Sequence, residues 1–297
     1  MSTHVIVGAG PVGSATARLL AARGERVRII TRSGSGPDHP AIERVAADAT
    51  DADRLTELTR GAAVLYNCAS PEYHRWFTDW PPLAAAFLTA AERTGAVYAA
   101  ASNVYGYGEV DGPITDSTPL AATHPKMRVR ADMWRQALAL HEAGRIRATE
   151  VRGSDYIEDN SVFSITVAKP LLAGRRAYPI SPLDVPHSWT SIEDVAAALV
   201  TVAADPRGHG RGWLVPTHDP LTLRELATQF AEVNQVRARL TGLPYAVLWT
   251  LGLFSAQLRE LRSTRYQFTR PFVIDSAITT ATFDLKPRPL TDALRAR

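Results

Sequence analysis

Val5-Ile6-Val7-Gly8-Ala9-Gly10-Pro11-Val12-Gly13, running straight into Ser14-Ala15-Thr16-Ala17-Arg18-Leu19-Leu20, decides the fold. The apolar run reads as a strand, the Gly-x-Gly-x-x-Gly as a turn and the remainder as an amphipathic helix. Such a βα unit suits a dinucleotide. Gly8 makes the tight turn, Gly10 brings the backbone around Pro11 and Val12 up to a pyrophosphate, and Gly13 lets helix pack on strand. Free amides at the helix start face the anion. A glycine-rich turn alone can be structural, but its place between strand and helix, with a second strand at Val27–Ile30, favours the nucleotide.

The end of the second strand chooses the nucleotide. A carboxylate there would bind the adenosine ribose hydroxyls and favour NAD(H). Here Thr31 and Arg32 stand in its place. A guanidinium without the carboxylate suits a 2′-phosphate, so NADP(H) is expected in preference to NAD(H). The competing reading makes Arg32 one more surface arginine.

The chain has 297 residues, enough for a large core in one or two domains. Hydrophobic content of 45% and charged content of 21% indicate an ordinary globular protein. A net charge of +3 without a basic block excludes nucleic acid as the expected partner. A single cysteine, Cys68, is compatible with a reducing cytoplasm and, at the end of a buried strand, reads as a packing residue. The first strand leaves no room for a signal peptide, and the apolar run Leu243–Phe254 is too short to span a bilayer, so cytoplasmic localisation without membrane contact is expected. The eight histidines show no metal-ligand spacing, and no metal is expected.

Further along, Ser33-Gly34-Ser35-Gly36-Pro37 is a loop, a short strand follows at Arg44–Ala46, and Thr50 or Asp51 caps the next helix. Val64–Ala69 and Ala96–Ala101 read as further strands, Tyr73–Pro82 as an aromatic loop, Pro125–Ala143 as a long helix and Arg147–Val151 as strand six. Repeated β-then-α alternation implies an α/β, Rossmann-like, doubly wound parallel sheet with ligands at the strand carboxyl ends. Residues 1–152 form the NADP(H)-binding domain. Residues 153–297 form a smaller, mostly helical substrate lobe interwoven with the sheet, with short strands near Tyr178 and His187–Thr190 and helices at Ile192–Ala203, Leu223–Val233 and Pro244–Tyr266.

At these residues the chain resembles the extended and atypical short-chain dehydrogenase/reductases, relatives of the NAD-dependent epimerases and dehydratases. The resemblance spans nearly the whole chain. It rests on Gly8-x-Gly10-x-x-Gly13, Asp48-Ala49-Thr50-Asp51, Asn67-Cys68-Ala69, Val104-Tyr105-Gly106 and Trp189-Thr190-Ser191-Ile192-Glu193-Asp194-Val195. It implies that Asp48 and Ala49 border the adenine, that Cys68, Ala69 and Ser70 lie along the cofactor, and that Tyr156 flanks the nicotinamide. The family's catalytic serine and its Tyr-x-x-x-Lys fall, by the same alignment, on Ala101, Lys126 and Arg130. All three positions are therefore changed, with Ser102 as a neighbouring candidate.

In the family the tyrosine protonates the forming alkoxide, helped by the lysine charge. Arg130 can supply that charge and hold the nicotinamide ribose, but it does not release a proton. Lys126 donates one if burial lowers its pKa; otherwise it is a solvated lysine at a helix start. Alternatively the substrate supplies the group, as when a ketone lies beside a phenol. This departure resembles the atypical ketoreductases of angucyclinone tailoring. It implies an NADPH-dependent ketoreductase of a polycyclic aromatic polyketide in antibiotic biosynthesis. Trp76, Trp80, Tyr105, Trp134 and Trp249 make a flat aromatic ligand suitable. A non-catalytic NADP(H) sensor and a sugar-nucleotide epimerase or dehydratase are the rival readings.

Overall fold

The computed structural model describes residues 2–158, 160–255 and 259–296. Its first half alternates β1 (Thr3–Val7), α1 (Pro11–Ala22), β2 (Arg26–Thr31), β3 (Ile42–Ala46), α2 (Ala52–Thr59), β4 (Ala62–Asn67), α3 (Trp76–Thr94), β5 (Val97–Asn103), α4 (Pro125–Glu142) and β6 (Ala148–Gly153). Then come β7 (Asp155–Tyr156), α5 (Lys169–Leu172), β8 (Trp189–Thr190), α6 (Ile192–Ala204), β9 (Gly212–Leu214), α7 (Leu223–Val233) and α8 (Tyr245–Leu251).

Among the described residues, seven strands form one sheet in the order β3-β2-β1-β4-β5-β6-β9, and every pair is parallel. Parallel strands need crossovers, and the helices that supply them cover both faces. On one face α1 and α6 pack through Val12, Ala17, Leu20, Val195 and Leu199 onto Ile6, Ile29 and Tyr66. On the other, α2, α3 and α4 contribute Leu55, Trp80, Phe87, Met127 and Trp134 to a core with Val5, Leu65 and Tyr98. The expected doubly wound sheet is therefore what the chain forms. Strand order reverses between β1 and β4, which opens a crevice at their carboxyl ends.

Residues beyond 152 contribute both β9 and α6 to this sheet layer, while Phe163, Val167, Leu171, Trp189, Leu226 and Phe230 make a separate core. Asp51 caps α2 by accepting from Arg54 N at 3.0 Å. Thr222 and Glu225 form a reciprocal capping box that starts α7.

Three local expectations are corrected. Tyr73–Pro82 is not a loop: after a short 3₁₀ turn, α3 begins at Trp76 and carries Pro81 and Pro82 within it. Burial of Trp76, Trp80, Leu83 and Phe87 on one stripe holds the helix, and both proline rings face solvent, where the lost amides matter least. The strand near Tyr178 is reduced to an isolated bridge between Ala177 and Leu240. The single helix Pro244–Tyr266 is broken into α8, a 3₁₀ turn at Leu261–Thr264 and the short helix Tyr266–Thr269. Residues 256–258 of that stretch lie outside the described residues. No helix among the described residues is long and apolar enough to cross a membrane.

Candidate active site

The three glycines occupy three different environments. Gly8 has φ +101, and a Cβ there would sit 2.5 Å from Cys68 O. At Gly13 a Cβ would lie 2.0 Å from Gly8 O and 3.1 Å from the Cys68 Cβ. At Gly10 nothing lies within 4 Å. The turn is thus closed against β4 at its two ends and open in the middle. Pro11 occupies the first turn of α1, and no side chain caps the helix. An open glycine, an uncapped helix start and the β1/β4 crevice together fit a pyrophosphate.

Cys68 packs beneath this turn, where burial pushes its thiol up to about 12 against a smaller opposing contribution from Thr16. Its side chain is structural; the backbone of Cys68 and Ala69 lies against Gly8, and Ser70 beyond them is exposed. At the far end of β2, the Thr31 hydroxyl donates to Ser35 O at 3.1 Å, and Arg32 is exposed with no ion pair to any described residue. Asp48 Oδ1 accepts from Thr50 N at 2.9 Å and from Thr50 Oγ1 at 2.8 Å. Those two bonds, with a smaller contribution from the Arg32 charge, hold the Asp48 carboxyl below its usual range. Ala49 is half-buried beside it.

The opposite wall is built by α4. Its buried residues include Lys126, Arg130 and Trp134, one turn apart on one stripe. Arg130 is 6% exposed, and its Nη2 donates to Ala101 O at 3.0 Å. The guanidinium lies 4.7 Å from the Trp80 ring and 6.0 Å from that of Trp76. Its Nε is buried and bonds to no described group. Burial lowers the Arg130 pKa, with Glu150 as the main opposing influence. A buried cation carrying a free donor, beside the small side chain of Ala101, fits a ribose hydroxyl.

Lys126 is not the solvated lysine of the alternative reading. It is fully buried, donating from Nζ to Glu260 O at 3.1 Å, with Glu260 Oε2 at 3.5 Å. The same ammonium lies 4.3 Å from the centre of the Tyr73 ring and 5.7 Å from that of Trp76. Burial lowers its pKa, and Glu260 opposes that effect. Ser102, by strand alternation, faces away from Ala101 and toward the α4 side of the sheet.

Of the five aromatic residues named from sequence, the structure brings three together: Trp76 meets both Trp80 and Tyr105, and the Arg130 guanidinium lies near the Trp76 and Trp80 rings. Trp134 instead packs 5.7 Å from the Arg152 guanidinium in the core. Trp249 on α8 is 55% exposed and lies under Arg262. Two participants were missed. Tyr73 meets Tyr105 hydroxyl to hydroxyl at 2.9 Å, and Glu260 arrives from a segment 134 residues past Lys126. Tyr156 packs against Gly153 at the end of β6, and burial raises its phenol pKa. Next to it Asp155 Oδ2 meets His187 Nε2 at 2.8 Å, while His187 Nδ1 faces Gln267 O at 3.1 Å. That bridge ties Gln267 to β7. No cluster of His, Cys, Asp and Glu among the described residues could hold a metal.

Comparison with known proteins agrees with the fold. Residues 4–215 match the model of the NAD dependent epimerase/dehydratase family. A dTDP-glucose 4,6-dehydratase from Bacillus anthracis, solved in complex with NAD, is 16% identical with a TM-score of 0.79, covering 99% of this chain and 96% of its own. A UDP-glucose-4-epimerase from Stenotrophomonas maltophila, with bound NAD and formylated UDP-arabinopyranose, is 18% identical, with a TM-score of 0.77 and coverage of 99% and 96%. An epimerase from Methanothermobacter thermautotrophicus is 15% identical, with a TM-score of 0.80 and coverage of 99% and 90%. At these identities the likeness is one of fold. No curated protein sequence is similar enough to match. From its residues, its sheet and the family match together, the chain belongs to the NAD-dependent epimerase/dehydratase family.

Proposed function

We propose that this chain is an NADPH-dependent ketoreductase that reduces a ketone of a polycyclic aromatic, angucyclinone-like polyketide in antibiotic biosynthesis without a Ser-Tyr-Lys triad. One observation carries the reading. The cation beside the end of β5 is kept, as Arg130 bonded to Ala101 O, while an alanine and a buried, ion-paired lysine occupy the other two positions. Such a site keeps the means to hold a nicotinamide nucleotide and loses its usual acid.

Gly8, Gly10 and Gly13 shape the turn for the pyrophosphate, Arg130 orients the nicotinamide ribose, and Arg32 faces a 2′-phosphate. When bound, the reduced nicotinamide supplies a hydride. The protein's part is then mainly proximity and orientation, which can sustain turnover by themselves. A ketone with a neighbouring phenol brings its own hydrogen bond to the developing oxyanion. The first test is NADPH oxidation with flat ketones that carry such a hydroxyl. NADPH binding without oxidation across that panel would favour a cofactor-sensing protein.

Family membership and the sugar-nucleotide complexes among the structural neighbours support the other reading, an epimerase or dehydratase. Against it stands Lys126, which occupies the tyrosine position that such chemistry uses. Conversion of UDP- or dTDP-sugars by the purified chain would decide for it.

Two variants test the assignments. Arg32→Ala is expected to weaken NADPH binding by about tenfold or more and leave NADH binding unchanged, as for loss of a charged hydrogen bond. Equal weakening of both cofactors would make Arg32 a bystander. Lys126→Met, which keeps the buried volume, is expected to hold turnover of a hydroxyl-bearing ketone within about tenfold, whereas loss of a true general acid costs ~10²-fold or more. A deeper fall with NADPH affinity intact would return Lys126 to the acid role.

A further inference from the structure

The part-buried Tyr73–Tyr105 pair is left unused by the foregoing chemistry. Their hydroxyl oxygens are 2.9 Å apart. Two phenols carry two protons, and only one of them can lie between the oxygens. No described residue accepts the other. The second proton is therefore free to be donated to a ligand.

The pair lies close to the cations of α4. Trp76 forms a common wall: its ring centre is 5.0 Å from that of Tyr73 and 6.0 Å from that of Tyr105. The same ring lies 5.7 Å from the Lys126 ammonium and 6.0 Å from the Arg130 guanidinium. The two phenols, Lys126 and Arg130 therefore all neighbour the same indole.

Within the pair the roles differ. Tyr105 is 8% exposed and rooted in the 3₁₀ turn after β5, whereas Tyr73 is partly exposed and precedes α3. Burial raises both phenols, which keeps them protonated and able to donate. Tyr105 opposes that rise at Tyr73, and Arg130 does so more weakly, while Tyr73 raises Tyr105 further. Tyr73, the less buried of the two, is the phenol placed to meet a ligand, with the Tyr105 O–H able to donate to the oxygen left behind. The Lys126 cation over the Tyr73 ring favours the same anion.

We propose that Tyr73, held by Tyr105, is a proton donor for flat ketones that lack a hydroxyl of their own. This rests on the ketoreductase reading and widens its substrate class. The carbonyl carbon takes the hydride with its two electrons, the carbon–oxygen π pair moves onto oxygen, and that oxygen takes the Tyr73 proton. The ketone is reduced to an alcohol as the cofactor is oxidised, and a solvent proton restores the phenol. Tyr105 and Lys126 act as positioning residues.

Fluorenone, and its analogue with a hydroxyl beside the ketone, separate the possibilities. In Tyr73→Phe, kcat for fluorenone is expected to fall ~10²-fold or more, as for a lost general acid, with NADPH affinity unchanged. The hydroxylated analogue should change by less than about threefold, because no transition-state contact is lost. Tyr105→Phe should cost fluorenone about tenfold, one hydrogen bond. A second readout needs no turnover: the carbonyl stretch of fluorenone bound with NADP+ should lie at lower frequency in the wild type than in Tyr73→Phe. Equal stretches, equal loss on both ketones, or a wild type that reduces only the hydroxylated one would each overturn the donor role and leave the ketoreductase standing. A wild type that binds NADPH and reduces neither ketone would overturn both.

Discussion

Gly13→Ala is expected to lower the melting temperature by on the order of 5–10 °C and to abolish nucleotide binding. Its Cβ would lie 2.0 Å from Gly8 O and 3.0 Å from Gly8 C. Both are backbone atoms, so relief requires α1 to move away from β1. Forcing volume into a close-packed contact costs about 3 kcal/mol, which in a chain of this length corresponds to that shift. Gly10→Ala is the matched control. Nothing lies within 4 Å of its Cβ, and its φ of −64 suits any residue. It should keep the wild-type melting temperature, but place a methyl in the space assigned to the pyrophosphate and weaken NADPH binding. Similar melting temperatures for the two variants would mean that the βα packing is looser than described; similar NADPH affinities of Gly10→Ala and wild type would move the pyrophosphate elsewhere.

The second large effect has opposite signs on stability and on binding. Arg130→Met should leave the free protein as stable as the wild type or more so, and weaken NADPH binding by about 10²-fold. The guanidinium is buried without a carboxylate in hydrogen-bonding range, one of its donors is unspent, and burial lowers its pKa. Replacing such a cation with an apolar side chain of similar size is commonly neutral or stabilising. Charge-assisted hydrogen bonds to the ribose are each worth about 1.5–3 kcal/mol, which sets the loss in affinity. Thermal melts and fluorescence titration with NADPH would measure the two quantities. Unchanged affinity with lowered stability would reduce Arg130 to a strut that holds the Ala101 carbonyl.

The parts of this molecule that were legible in sequence are those whose physics is local. Gly8, Gly10 and Gly13 are read from spacing because turn, approach and packing all fall within one βα unit. The parallel sheet follows from the order of apolar runs, since each crossover joins neighbouring segments. β9 escaped notice because Gly212–Leu214 is only three residues long and completes an edge begun far earlier in the chain. The start of α3 was hidden by Pro81 and Pro82, whose usual effect is overridden by the burial of Trp76 and Trp80.

The site was half legible for the same reason. The changes at Ala101, Lys126 and Arg130 are visible as identities at fixed spacing. The fate of Lys126 is not, because its charge is met by Glu260 from a segment whose pattern carried no signal. Tyr73 lies within the aromatic stretch legible in sequence, but the role proposed for it depends on a hydroxyl from Tyr105, 32 residues away on another element.

Cys68, sealed under the glycine turn with its thiol pushed up to about 12, has one more consequence. Electrophiles that alkylate thiolates find almost none here while the chain is folded. The same burial makes the lone sulfur a built-in reporter: a disulfide reagent should label it only when α1 lifts from the sheet, so the labelling rate follows the opening of the nucleotide cradle.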